Sequence, residues 1–127
     1  MICHCEVATK SVIPALRALV SKELVNNGLK QDEIATLLGI SQSAISKYSR
    51  QVRGRALEIE NVVELKPIIN EITLLLTDEN ASRVEILRKF CAACGLIRKK
   101  GLMCELCRRS DASLETEQCV FCMSLVP

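Results

Sequence analysis

The residues best suited to chemistry are cysteines, of which the chain has eight among its 127 residues. Six of them form three Cys-x-x-Cys pairs that are closely spaced along the chain. Two intervening residues let both sulfurs of a pair point at one ion, so paired thiolates are a common way to bind a soft metal. The pairs predict a metal site whose ligands come from Cys91, Cys94, Cys104, Cys107, Cys119 and Cys122.

The spacing of the pairs leaves the identity of the metal open. Zinc and an iron–sulfur cluster each take four thiolates, so six cysteines exceed either requirement by two. The intervals between pairs are shorter than the roughly 15–20 residues of a common zinc ribbon, and the ferredoxin run of cysteines that ends in proline is absent. A Cys-His-Cys tripeptide formed by Cys3, His4 and Cys5 offers further ligands for a second metal.

The elements that must position these cysteines are predicted to be helices. Apolar residues recur at helical spacing before residue 90, without a convincing alternating strand pattern, and they favour five or six helices. Aromatic residues make up only 2% of the chain, so Leu, Ile, Val and Ala must form the core. We expect an all-α fold with a helical domain over residues 1–90, followed by a small cysteine-rich, metal-binding segment over residues 91–127.

The last predicted helix of the first domain is capped by Ser82 and runs to about Phe90. Its expected inward-facing residues are Val84, Leu87 and Cys91.

A second pattern, centred on residues 31–50, predicts a helix-turn-helix. Ala35 provides a small residue where a second helix must pass closely, and Gly39 suits a turn that needs a positive φ. Ile45 lies where an apolar side chain fills the crossing of the two helices. Ser41 can cap the second helix.

The side chains around this second helix suit contacts with DNA. Residues 41–57 include four basic residues and no acidic one. Gln can form hydrogen bonds with adenine, Lys can donate to guanine, and Ser can form hydrogen bonds with either base. The outward residues are therefore predicted to contact base edges. Those outward residues are Gln42, Ser43, Ser46 and Lys47. The residues predicted to follow the phosphate backbone are Gln31, Ser41, Arg50, Arg53 and Arg55.

The stretch LKQDEIATLLGISQSAISKYSR resembles the helix-turn-helix of Cro/C1-type (XRE) regulators. The longer segment VIPALRALVSKELVNNGLKQDEIATLLGISQSAISKY is similar to archaeal predicted regulators of that class, which also have a cysteine-rich tail. The resemblance covers residues 7–55 well and the tail more loosely. It implies a dimeric, four- or five-helix domain that reads a pseudo-palindromic operator. For the tail it implies an iron–sulfur cluster, 4Fe-4S being favoured, with zinc as the alternative.

These patterns together predict a transcription regulator that binds double-stranded DNA as a homodimer. The expected modulator of DNA binding is the cluster or another thiolate-bound metal, in redox, iron or sulfur sensing. The alternatives are a regulator with a purely structural zinc site and a zinc-bound protein-interaction adaptor. A thiol redox enzyme is disfavoured because its Cys-x-x-Cys motif needs a βαβ context.

The sequence also predicts where the protein resides. It has no apolar run of about 18 residues, so no membrane span is expected. The basic-then-apolar layout of a secretory signal is absent as well, so the chain is expected to be cytoplasmic.

Overall fold

The fold is built from helices. This computed structural model describes residues 1–50, 57–116 and 119–124, and no strand occurs within these ranges. The helices are α1 (His4–Lys10), α2 (Val12–Asn26), α3 (Gln31–Leu38), α4 (Gln42–Arg50), α5 (Leu65–Thr77), α6 (Arg83–Lys99), α7 (Cys104–Ser110) and α8 (Ser113–Thr116), followed by a 3-10 helix, Phe121–Ser124. The predicted all-α class is confirmed, and six of these helices begin before residue 90 as expected.

Helix α2 lies at the centre of the core and packs against α1, α3, α4, α5 and α6. Leu16, Val20 and Leu24 recur every fourth residue, which places them on one face of the helix. All three are fully buried. The neighbouring Ile13 and Leu19 are half-buried.

Helix α5 packs against α6 and α2 through one apolar face. Its buried apolar residues are Leu65, Ile69, Ile72 and Leu76. The opposite face of α5 is exposed, and it includes one large apolar side chain, Leu74, which is 69% exposed. Among the helices that the structure describes, none is long and apolar enough to cross a membrane.

Helix α6 is longer than predicted. It was expected to end at about Phe90, but it continues to Lys99. Cys91 and Cys94 therefore lie inside a helix that crosses the predicted boundary between the two domains. The first pair of the cysteine-rich segment is consequently part of the helical core structure.

The face of α6 that enters the core also differs from the prediction. Val84 and Leu87 are 63% and 52% exposed, and Cys91 is exposed as well. The residues that face the core instead are Ile86, Phe90, Ala93 and Ile97. Both stripes have helical spacing, but the second contains the larger side chains and continues to the C-terminal end of the helix. Packing therefore selects the second stripe and leaves the predicted one on the surface.

Candidate functional site

Helices α3 and α4 are joined by a tight turn of three residues. Gly39 ends α3 in the left-handed region, with φ of 67° and ψ of 32°, as its sequence position predicts. The N–H of Ile40 donates to the carbonyl of Ala35, which closes the end of α3. Ser41 then caps α4, since its Oγ accepts a hydrogen bond of 3.1 Å from the N–H of Ala44. The turn chemistry predicted for residues 39–41 is confirmed.

Packing fixes which face of α4 points outward. Ile34 of α3 and Ile45 of α4 are fully buried, and both helices pack against α2. The opposite face of α4 carries polar side chains: Gln42, Ser43 and Lys47 are exposed, and Ser46 is half-buried. An exposed, acid-free polar surface thus lies on one side of a helix that the core holds in place.

The residues predicted to contact phosphate are described in part. Gln31, the first residue of α3, and Ser41 are both exposed. Arg50 ends α4, and its side chain lies outside the described part of the chain. Arg53 and Arg55 also lie outside the described residues.

The second candidate site is a cavity of about 380 Å³ that is lined by thiols. Helix α7 supplies two of them, a third precedes the 3-10 helix, and the fourth lies within that helix. The cysteines that line the cavity are Cys104, Cys107, Cys119 and Cys122. Two of the three predicted pairs therefore meet around one cavity, although eleven residues separate them in the sequence.

The N-terminal Cys-His-Cys tripeptide is docked on the same cavity through His4. The Nε2 atom of His4 lies 3.2 Å from the Sγ atom of Cys119, within hydrogen-bond distance. Its ring stacks on Phe121, with centroids 4.8 Å apart and an interplanar angle of 20°. His4 thus adds an imidazole to the four thiols.

A buried cation, Arg98, connects this cavity with another cysteine. The side chain is only 9% exposed, and its Nε donates to the Sγ of Cys122 at 3.4 Å. Its Nη1 points at the Sγ of Cys5 at 3.9 Å. No carboxylate partner of Arg98 occurs in the described ranges. The polar partners of this guanidinium are therefore thiol sulfurs, which would compensate its charge when they are ionised or bound to a metal.

Sequence reasoning did not identify Arg98 as a site residue. One signal was present, since Cys94 and Arg98 are four residues apart and hence share a face of a helix. The contacts with Cys5 and Cys122 join distant parts of the chain, and no local pattern reports them.

Burial affects the ionisation of two thiols. It raises the pKa of Cys107, and the neighbouring Cys122 and Cys104 add to the rise. Burial also raises the pKa of Cys94, against the opposing effect of the Arg98 guanidinium. Both groups are thus protonated at neutral pH, and a metal would have to displace their protons.

Cys91 and Cys94 do not line the thiol cavity. They face a separate groove beside α6, in which Cys94 interacts electrostatically with Cys91, Cys5 and Arg98. The structure therefore divides the six predicted ligands into a group of four and a pair. Cys3, at the N-terminal end of α1, is exposed.

The donor types around the cavity fit a soft metal, since four sulfurs and one imidazole are ligands that zinc and iron–sulfur clusters accept. Within the described ranges, no three His, Cys, Asp or Glu side chains are arranged closely enough to hold a single metal ion.

Comparisons of the chain with protein families, with curated proteins and with solved structures find no match. The resemblance to Cro/C1-type regulators therefore stays a prediction.

Proposed function

We propose that this protein is a transcription regulator that reads double-stranded DNA with α4 and responds to a thiolate-bound metal. The observation that carries the proposal is the outward polar face of α4. It is held by the buried Ile34 and Ile45 and introduced by a left-handed Gly39. In a helix-turn-helix the second helix enters the major groove with its N-terminal residues against base edges. The N-terminal part of α4 has the side chains that this role requires.

The exposed residues of α4 supply complementary chemistry for base edges. Gln42 presents an amide that can bond bidentately to adenine, and Lys47 presents a donor for the acceptors of guanine. Ser43 and Ser46 add hydroxyls that both donate and accept. Gln31 and Ser41 are exposed as well, and their polar side chains suit contacts with phosphate.

We further propose that the protein acts as a homodimer. Two copies of α4 would then address half-sites about 34–36 Å apart, one helical turn of DNA. A small rotation between the copies would release one half-site, which makes DNA binding sensitive to changes elsewhere in the protein.

The metal that the cysteines would hold is proposed to be an iron–sulfur cluster, with Cys104, Cys107, Cys119 and Cys122 as its ligands. When bound, such a group supplies a redox-active and labile centre. The four thiols that line the cavity match the number of ligands that a cluster takes, and the resemblance of the tail favours the cluster. A zinc ion bound by the same four thiols is the alternative.

Helix α6 offers a physical link between the thiols and the DNA-reading helices. Near its C-terminal end, Arg98 contacts the sulfurs of Cys122 and Cys5. At its N-terminal end, the Nη2 atom of Arg83 lies 3.6 Å from the position that a Cβ atom of Gly39 would occupy. A shift of α6 that follows a change at the thiols would therefore move Arg83 relative to the turn between α3 and α4.

The DNA-binding half of the proposal is tested with duplexes selected by the protein from a random pool. At fixed salt, Gln42→Ala and Lys47→Ala should each weaken specific binding by about 1–3 kcal/mol. Lys22→Ala, at an exposed lysine on α2, is the matched control and should change binding little. Unchanged binding by both α4 variants would contradict the proposed role of α4.

The metal-binding half is tested by anaerobic purification. A brown protein with visible absorbance would support the cluster, and a colourless one with stoichiometric zinc would support the alternative. Cys104→Ser/Cys119→Ser should abolish metal binding, whereas Cys91→Ser should retain it because Cys91 does not line the cavity. Identical DNA affinity with and without the metal would leave the metal a structural role only.

A further inference from the structure

An apolar groove runs along α6 and is separate from the thiol cavity. Its volume is about 980 Å³, at the upper end of the roughly 300–1,000 Å³ that is typical of small-molecule sites. The lining residues come from α2, α3, α5 and α6 and reach from one end of α6 to the other, over about 24 Å. The main apolar ones are Ile13, Leu37, Ile68, Leu76, Leu87 and Phe90.

Every charged residue that lines the groove is basic. These residues are Arg17, Arg83, Arg88, Arg98 and Lys99. No Asp or Glu takes part in the lining. The lining of the groove therefore combines apolar side chains with positive charges and contains no negative charge.

The basic residues of the groove differ from other cations near α6. Lys89 pairs with Glu71 at 2.6 Å, and Lys100 pairs with Glu64. In the ranges that the structure describes, the basic residues of the groove form no such pair with a carboxylate. Two cations on and next to α6 but outside the groove are thus paired within the protein, whereas those that line the groove have no carboxylate partner among the described residues.

Part of the apolar stripe that α6 leaves outside the core lines the groove. This stripe includes Leu87, which lines the groove and yet is 52% exposed. Apolar area left in water is unfavourable, and a ligand that covers it removes that cost. An occupant with an apolar body would recover this free energy.

We infer that the groove binds an elongated organic anion with an apolar chain and a single carboxylate, of the fatty-acid class. The hydrocarbon chain of the ligand would lie against the apolar side chains that line the groove. Its carboxylate would accept paired hydrogen bonds from a guanidinium. Arg17, Arg83 and Arg88 are the available donors, because Arg98 is already directed at Cys122 and Cys5. A ligand of this kind matches both the apolar lining of the groove and its positive charge.

Such a ligand would also touch the α3–α4 unit. Leu37 and Leu38 of α3 line the groove, and Arg83 lies beside the Gly39 turn. Binding would therefore favour one position of α3 relative to α6. This regulatory consequence rests on the proposed function, whereas the binding of the anion does not.

The experiment measures ligand binding by calorimetry in the absence of DNA, with the full chain and monomeric decanoate as the probe. Butyrate has the carboxylate without the long chain, and decyltrimethylammonium has the chain with a cationic headgroup. We expect decanoate to bind at least about tenfold more tightly than either. Equal binding of decyltrimethylammonium, or no binding of decanoate, would overturn the inference.

The charge requirement is tested with Arg83→Glu/Arg88→Glu, which should weaken decanoate binding by about tenfold or more. Lys66→Glu, at an exposed lysine of α5 that does not line the groove, is the matched charge reversal and should bind normally. Circular dichroism establishes that both variants are folded. If Leu87→Glu dissociates a dimer and the native protein binds no decanoate, a second copy covers the groove and the inference is wrong. Because no DNA is present, failure here leaves the proposed DNA reading untouched.

Discussion

The α3–α4 unit and the thiol cavity are assembled by different kinds of contact. In α3–α4, a glycine turn, a serine cap and two buried isoleucines lie within a single stretch of the chain. At the cavity, His4 meets Cys119 across 115 residues, and beside it Arg98 meets Cys5 across 93 residues. The first region is determined locally, and the second depends on the completed fold.

The two regions also differ in what stabilises them. Apolar burial holds α3 and α4, and burying such side chains is favourable without a partner of matching charge. Beside the cavity lies a buried guanidinium, that of Arg98, whose partners are thiols, and a buried charge is costly unless it is well paired. The folding stability of the α3–α4 unit should therefore not depend on the state of the thiols, although the position of the unit relative to α6 can, whereas the stability of the cavity should depend on that state.

The largest expected effect comes from truncating a buried side chain in the α3–α4 unit. Ile34 is fully buried, so Ile34→Ala should lower the free energy of unfolding by about 2–5 kcal/mol in urea denaturation. Val25→Ala, at a side chain that is 48% exposed, should change it by less than about 0.5 kcal/mol. The loss at Ile34 should be the same with and without a metal chelator. A loss that disappears on chelation would show that the two regions are not separate.

This contrast decides how much of the fold was predictable from the sequence. The turn at Gly39, the cap at Ser41 and the inward position of Ile45 follow from local chemistry, and all three are confirmed. The prediction of the inward face of α6 was wrong, because that helix has two apolar stripes and only tertiary packing determines which of them is buried. A local pattern that allows only one buried face predicts the packing of a helix, whereas a pattern that allows two does not.

The candidate sites show the same limit. The spacing of the cysteines identified them as a set but did not show which of them meet. The structure groups Cys104 and Cys107 with Cys119 and Cys122, and it places Cys91 elsewhere. Arg98 could not be predicted as a site residue, because an arginine four residues after a cysteine is also compatible with an exposed helix surface. Long-range packing is what buries it.

A smaller effect is expected at the turn between α3 and α4. Gly39→Ala forces a Cβ atom into the left-handed region, which costs about 1–2 kcal/mol. The nearest atom, Nη2 of Arg83, would be 3.6 Å away, so the cost is due to the backbone and not to a clash.

Gly95→Ala is the matched control, because Gly95 lies inside α6 with no atom within 4 Å of the added Cβ. It should raise stability by about 0.5–1 kcal/mol, since alanine favours a helix over glycine. Equal effects of the two variants in thermal unfolding would contradict the assignment of a left-handed turn at Gly39.

The smallest expected effect is a dependence of stability on alkaline pH that arises only at the thiol side. Burial raises the pKa of Cys107 above its ordinary value of 9.0, so the folded state holds this proton more tightly than the unfolded state does. The resulting stabilisation is complete below the ordinary pKa and is lost as the pH rises through the folded pKa. Reduced, metal-free protein should therefore lose stability in urea denaturation above about pH 8.5–9. Cys107→Ala should flatten this decline, while Ile34→Ala should lower the curve at every pH without changing its slope. A decline of equal slope in Cys107→Ala would place its source outside the cavity and remove the electrostatic difference between the two regions.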